Sequence, residues 1–301
     1  MKLNKREIGF LAKEFPGANQ LSLFANIKID LDGSEKESLE TKGVLRGCKL
    51  TEEWEEAFEI IRTPKICSRV VLKDNELLVE KYAYKKKDKI VLVENEQGEM
   101  IVTSPENFNE TIMEFAEFTG MSNVRASNVE ALLPMNEVLV LLAIADMYRV
   151  KAIKGFLGET VKDQISLADI KQQLEEPRKN GLLKMLTNNY NLVVPAADEV
   201  ENILGKMIDK KIVELHDGYV LQSEFVSFAT SVLIPQTLVV VEAFQIHDNG
   251  EVITAGALSV SGGIKDTISF IFAGEEIEVS SITGSFLLKI IENYLNCPEL
   301  I

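Results

Sequence analysis

The pattern of hydrophobic and polar positions is clearest in the second half of the chain. From Asp198, a suitable N-cap, apolar residues recur at helical spacing and predict a helix. Short apolar stretches on both sides of Asp217-Gly218 predict a small hairpin, because Asp-Gly favours tight turns. A second helix is predicted over 224–233, ended by Pro235. Four strands and a closing helix are predicted to follow, at 237–246, 252–260, 267–272, 276–279 and 282–295.

The first half follows the same order of elements. It begins with a predicted hairpin over 44–50 and a helix over 52–62, which Pro64 follows. Thr51 here and Ser223 in the second half stand where an N-cap is expected. Four strands are predicted next, at 66–72, 77–84, 89–93 and 100–103. Asp74-Asn75 and Gln97-Gly98 are turn signals between them, and Ser104-Pro105 is predicted to open the last helix.

The two halves also match residue by residue at one spacing. Pro64 and Pro235 lie 171 positions apart. At the same spacing, apolar or glycine residues coincide at Val44/Leu215, Gly47/Gly218, Leu50/Leu221, Trp54/Phe225, Ile61/Val232 and Val70/Val241. Beyond Gly98 the match requires an insertion of a few residues. We therefore predict an internally duplicated, pseudo-two-fold α+β fold, with a mostly antiparallel sheet of about four strands per half and helices packed beside it.

Between the halves, the pattern predicts packed helices. The longest apolar run, over 138–145, predicts a buried core helix and is far shorter than a bilayer span. Helices are predicted over 138–154, 167–175 and 182–186. Because no Gly/Ser-rich linker separates them, we expect one integrated domain. Its parts are a first half over 1–120, a connecting helical segment over 121–165 and a second half over 166–301.

Composition narrows the classes of partner. The 301-residue chain has a net charge of -15, which disfavours binding to nucleic acid. Its one dense basic run, Lys85-Lys86-Lys87 before Asp88, is interpreted as a charged hairpin turn. The first residues precede no long apolar stretch, so we expect no signal peptide and no membrane span. Together with the few cysteines, this predicts a cytoplasmic protein.

Candidate catalytic and metal-binding residues are sparse. His216 and His247 both neighbour turn residues and are expected to be exposed. Cys48, Cys67 and Cys297 match no zinc or redox spacing, and the first two are expected to be buried and inert. Gly262-Gly263-Ile264-Lys265 is interpreted as a hairpin turn, since it lacks the context of a phosphate loop. Paired acidic residues are expected to be solvated. The sequence therefore predicts no catalytic, cofactor or metal site and no enzyme.

The segment over 198–233 also allows another interpretation. Its order of helix, strand, turn and strand resembles a winged helix, whose recognition helix is usually basic. The candidate helix over 198–211 carries Glu199 and Glu201 as well as Lys206, Lys210 and Lys211. A structural role for this topology is therefore favoured over nucleic-acid binding.

The overall layout resembles the EspG family of cytosolic type VII (ESX) secretion chaperones. The resemblance rests on two copies of hairpin, helix, proline and strand, over 44–72 with Pro64 and 215–243 with Pro235. It implies a pseudo-two-fold fold with a central sheet and adjoining helical bundles. It also implies a non-enzymatic role, in which the protein shields an apolar helical segment of a secretion substrate. No binding residue is transferred from the family, and the helical segment after Gly120 departs from its typical members.

These observations predict a chaperone-like protein that binds another protein, with an amphipathic helix of the partner lying in an apolar groove. One alternative is an enzyme or small-molecule-binding protein with a site between the halves. The other is a winged-helix regulator of transcription. An exposed apolar groove favours the first function, a deep polar pocket the second, and a basic face on the helix over 198–211 the third.

Overall fold

The computed structural model describes residues 1–25, 27, 29–74, 77–103, 108–161, 164–262 and 267–300. The helices are α1 Lys5–Glu14, α2 Glu35–Thr41, α3 Glu52–Arg62, α4 Phe108–Thr119, α5 Met135–Phe156, α6 Leu167–Glu175, α7 Leu182–Tyr190, α8 Val200–Asp209, α9 Ser223–Ser231 and α10 Gly284–Leu295. The strands are β1 Lys2–Leu3, β2 Leu45–Arg46, β3 Lys49–Leu50, β4 Ile66–Asp74, β5 Leu77–Lys86, β6 Lys89–Glu96, β7 Glu99–Thr103, β8 Glu130–Pro134, β9 Val213–Leu215, β10 Tyr219–Leu221, β11 Thr237–Ile246, β12 Val252–Ser261, β13 Thr267–Ala273 and β14 Glu276–Ile282.

Ten of these strands form one sheet in the order β1-β7-β6-β5-β4-β11-β12-β13-β14-β8. The pairs with a described register are antiparallel, for example β5 with β6 and β13 with β14. This confirms the predicted α+β class. The edge strands β1 and β8 were not predicted. The first has only two residues, and the second lies in the connecting segment over 121–165, which was wrongly expected to hold helices alone.

The order of helix, hairpin, helix, four strands and helix occurs in both halves of the chain. The spacing of 171 positions relates the first residues of α3 and α9, Glu52 and Ser223, and it also relates the start of β4 to that of β11. It becomes 175 at the starts of β5 and β12, Leu77 and Val252. The position of the insertion, which was predicted after Gly98, stays a prediction, since the start of β5 adjoins residues 75 and 76, which lie outside the described ranges. The duplication itself, and with it the superposition of the two halves, stays a prediction.

Several helix ends differ from the predicted ones. Thr51 occupies the N-cap of α3, but its hydroxyl donates a hydrogen bond to the Gly43 carbonyl at 2.8 Å and caps no helical N–H group. Ser223 is the first residue of α9 and not its cap. Asp198 lies in the turn before α8. The closing helix starts at Gly284, because the ladder between β13 and β14 continues to the end of β14.

The chain divides into two compact units. The first contains Met1–Phe115, Val241–Gly256 and Lys289–Ile301, and the second contains Ala116–Val240 and Ala257–Leu288. Strands β11 and β12 pass from one unit to the other. The division into segments at residues 120 and 165 stays a prediction.

In the first unit, α3 contacts strands β5 and β6, and apolar residues of α1 and α3 belong to one buried cluster. The same cluster contains Tyr84, Val93 and Cys67. The rings of Phe24 and Phe58 stack with centroids 5.8 Å apart. Burial of this apolar surface is the main stabilising contribution in the unit.

In the second unit, α5 is the central helix. Its residues 138–145 have no exposed surface, which confirms the predicted buried core helix. It contacts α6, α7, α8 and α9 as well as β8 and β14. Among the described residues, no helix is both long and apolar enough to span a bilayer.

A buried ion pair on α5 holds two neighbouring helices of the second unit. Asp146 accepts hydrogen bonds from the N–H groups of Leu182 and Leu183 at 2.8 and 3.2 Å, so it caps α7 in place of the N-cap Gly181. A Cβ atom at Gly181 would lie 2.3 Å from the Asp146 carboxylate, which explains the glycine. Arg149 bonds Asp146 at 2.6 Å and donates to carbonyls just after α9 at 2.8 and 3.0 Å.

Candidate protein-binding grooves

The two histidines lie at the surface, as predicted. His216 is in the turn between β9 and β10, with its side chain 63% exposed and 3.0 Å from Glu214. His247 follows β11 and is exposed. Among the described residues, no group of three or more His, Cys, Asp and Glu side chains is arranged to hold a metal ion.

The three cysteines differ in exposure. Cys67 is buried, and burial raises the pKa of its thiol. Burial likewise raises the pKa of Cys297 to about 11, so both thiols stay protonated at neutral pH. Cys48 is exposed, so its predicted burial was wrong. Its apolar neighbours in sequence suggested a core position, but it lies in the turn between β2 and β3 beside Gly47.

Two predicted turns have different outcomes. The basic run is a hairpin turn as predicted, because β5 ends at Lys86 and β6 begins at Lys89. The segment Gly262-Gly263-Ile264-Lys265 was also interpreted as a hairpin turn. Its last three residues lie outside the described ranges. The same holds for Asn75 and for Ser104-Pro105, where the last helix of the first half was expected to open.

Helix α8 does not present a basic face. Its buried side carries Ile203, Leu204 and Met207, and its exposed side carries acidic as well as basic residues. Lys210, next to its end, is bound to the buried Glu137 at 2.8 and 2.9 Å. The arrangement therefore gives no support to the winged-helix regulator.

Helix α3 in the first unit is flanked by grooves on both sides. The first, named the α1–α3 groove, has a cavity volume of about 760 Å³. Its floor consists of apolar side chains from α1, α3 and the segments near them: Leu11, Phe15, Phe24, Leu50 and Phe58. Most of these side chains also belong to the core, so the groove is an extension of the core to the surface.

The second groove lies between α3 and the strands β6 and β7, and is named the α3–β6 groove. Its cavity volume is about 570 Å³. Apolar side chains from the helix and both strands line it: Trp54, Ala57, Ile60, Ile90, Val91 and Val102. Trp54, Ala57 and Ile90 are half-buried and therefore accessible from the groove. A further cavity of about 640 Å³ continues along α3 toward the turn at Lys87.

The rims of these grooves are acidic. Five of the eleven residues of α3 are glutamates. Glu59 binds Lys86 at 2.7 Å and also pairs with Arg62, and these contacts, led by the Lys86 hydrogen bond, lower its pKa to about 2. Glu56 pairs with Lys89. Within the described ranges, Glu52, Glu53 and Glu55 have no cationic group within 4.0 Å, and Glu53 interacts at longer range with the Met1 ammonium.

The sequence pattern did not identify these grooves, because one apolar stripe of α3 packs into the core while the adjoining apolar residues border a groove. Phe58 and Ile61 face the core and are buried. Trp54 and Ala57 lie on the flank of that stripe and are only half-buried. The one sequence signal that accompanies the site is an apolar stripe wider than the core requires, bordered by glutamates, and this signal alone does not distinguish a groove from a solvated helix face.

A second apolar surface lies in the second unit and is named the α10 patch. It comprises Met121, Val124 and Phe286, which are 62%, 55% and 47% exposed. Hydrogen bonds of 3.1 and 2.9 Å from Ser285 to the carbonyls of Ser122 and Met121 hold the segment against the start of α10. Exposed apolar residues that cluster in this way are typical of interaction surfaces.

Comparison with known proteins yields a fold and not a family membership. No family model matches the sequence, and no curated protein matches it. Fourteen chains of solved structures match the fold. One is the type VII secretion system chaperone EspG5 of Mycobacterium tuberculosis, whose structure was solved in complex with a PE25-PPE41 dimer. The match has a TM-score of 0.54 and 10% identity, and covers 99% of this chain and 96% of that one. The chain therefore has an EspG-like fold, as the sequence layout indicated.

Proposed function

We propose that this chain is a non-enzymatic, chaperone-like protein of the cytosol that binds another protein through an apolar surface. The observation that carries the proposal is the likeness of nearly the whole chain to the fold of a secretion chaperone. A likeness confined to one of the two compact units would show only a shared substructure. Because it extends over 99% of this chain, it covers the whole architecture, and the shared mode of use is our proposal, to be tested at the binding surface.

The surface of the molecule supports the same proposal. The two grooves beside α3 and the α10 patch offer apolar surface to a partner, and the histidines stand apart at exposed turns. Grooves with apolar floors and charged rims suit an amphipathic helix, whose apolar stripe enters the groove while its polar face stays in water. We further propose that the partner is a secretion substrate whose apolar helical segment is exposed before export.

The test is capture of the partner followed by co-expression. The tagged chain should retain one stoichiometric protein from the cytosol in which it is made. That protein, expressed alone, should aggregate, because its apolar segment is exposed to water, and co-expression with this chain should bring it into a soluble complex. Recovery is measured as the soluble fraction after centrifugation and gel filtration.

The control is co-expression with an unrelated acidic protein of similar size, which should leave the captured protein insoluble. If no stoichiometric protein is retained, or if the retained protein is equally soluble alone, the chaperone-like role is wrong.

A further inference from the structure

The α3–β6 groove joins an apolar floor to a rim of excess negative charge. Its rim carries three carboxylates, Glu53, Glu56 and Asp88, and one cation, Lys89. The pairing of Glu56 with Lys89 leaves Glu53 and Asp88. In the described part of the chain, neither of these two has a cationic side chain within 4.0 Å, although the Met1 ammonium interacts with Glu53 at longer range and Asp88 follows Lys87 in sequence.

The floor of the groove suits a row of apolar side chains from a partner. Trp54 and Ile90 present large apolar surfaces, and the small Ala57 leaves space between them. The cavity of about 570 Å³ is large enough for several side chains of Leu or Met size. Aromatic residues in such positions are enriched among those that dominate binding energy.

We propose that the α3–β6 groove binds an amphipathic helix of the partner protein that carries lysine or arginine beside its apolar stripe. The inference rests on the proposed function and adds the chemistry of the partner. Burial of the apolar stripe supplies the affinity, and Glu53 and Asp88 select cationic flanks over anionic ones. A second copy of this chain is a poor occupant, because its net charge of -15 repels a rim of the same sign.

Trp54 provides a direct signal for the test, because it is the only tryptophan of the chain and lines the groove. The probe is a synthetic helix-forming peptide without aromatic residues. It has leucines at every third or fourth position, alanines between them and lysines at both ends. A matched peptide has glutamates in place of the lysines.

The lysine peptide should shift the emission of Trp54 in a saturable way, and the glutamate peptide should bind at least about tenfold more weakly at low salt. Two variants locate the site. Ala57→Gln places a longer polar side chain in the groove and should weaken the lysine peptide about tenfold. Glu53→Gln with Asp88→Asn should weaken it about threefold to tenfold.

The matched control is Glu201→Gln with Asp209→Asn, which removes the same two charges from the exposed side of α8 in the second unit. It should leave the affinity for the lysine peptide unchanged. Thermal unfolding of each variant checks that the fold is intact. Equal affinity for both peptides, or an equal loss in the control, would overturn the proposal. So would a Trp54 shift that depends on chain concentration without peptide, because it would assign the groove to a second copy.

The outcome can be separated from that of the proposed function. If Ala57→Gln binds the captured native partner as tightly as the unchanged chain does, the groove assignment is wrong, and the chaperone-like role stands. If the unchanged chain captures no partner, the proposed function fails, whatever the peptides show.

Discussion

Replacement of Asp146 by alanine is expected to lower the free energy of unfolding by about 3–5 kcal/mol. The carboxylate has no exposed side-chain surface and makes three hydrogen bonds, one to Arg149 and two to the start of α7. Its removal leaves the guanidinium of Arg149, which is 7% exposed, without its counter-charge. It also leaves the N–H groups of Leu182 and Leu183 without acceptors. Urea unfolding, followed by circular dichroism, measures the loss.

Two further variants test the reason for this loss. Asp146→Asn keeps the size of the side chain and one oxygen acceptor. It should therefore lower the free energy of unfolding by less than the alanine variant does. Lys154→Ala on the exposed end of the same helix should change stability by less than about 0.5 kcal/mol, because it removes only a surface pair with Glu159. If Asp146→Ala were as mild as Lys154→Ala, the ion pair would not hold α7 and α9 as described.

Replacement of Glu80 by alanine is expected to destabilise the first unit by about 2–4 kcal/mol. Its carboxylate accepts hydrogen bonds from Arg69, Tyr82 and Asn95, each at 2.8 Å. The expected loss is smaller than for Asp146, because Arg69 is 39% exposed and keeps a second partner, Glu242, at 3.2 Å. Thermal and urea unfolding of the variant measure the change. A loss below about 1 kcal/mol would show that water replaces the carboxylate without cost.

Glu80 also contributes to the dependence of stability on pH. Burial acts to raise its pKa, but the hydrogen bonds from Asn95, Tyr82 and Arg69 outweigh burial and lower the pKa. A carboxyl group with a lowered folded-state pKa stabilises the protein above its unfolded-state pKa, about 4.3 for glutamate. That stability is lost as the pH falls through the folded-state pKa. Between about pH 7 and about pH 3, Glu80→Gln should therefore lose less stability than the unchanged chain.

Much of the fold could be predicted from the sequence, because its elements follow simple periodicities. Helix α3 and strand β11 have the predicted bounds, since each ends at a clear signal, Pro64 after the helix and Asp248-Asn249-Gly250 after the strand. Strand β8 was missed, because five residues before a long apolar helix have no pattern of their own. These five residues form a strand because they pair with β14, and that pairing is a tertiary contact that the local sequence does not reveal.

The grooves could not be predicted, because exposure depends on what packs against each stripe. Trp54 matches Phe225 at the spacing of 171, and the pattern alone gives both the same apolar character. Only the tertiary structure shows that Trp54 borders a cavity beside β6. The acidic rim was visible in the sequence as paired glutamates, which are usually solvated surface residues. Their significance comes from the apolar floor between them.

Calorimetric titration of the captured partner into this chain at several temperatures tests the central claim most directly, namely that the chain binds a protein through apolar surface. The account predicts saturable binding at one partner per chain with a clearly negative change in heat capacity, the mark of buried apolar surface. Binding with no change in heat capacity, or no binding at all, would contradict it.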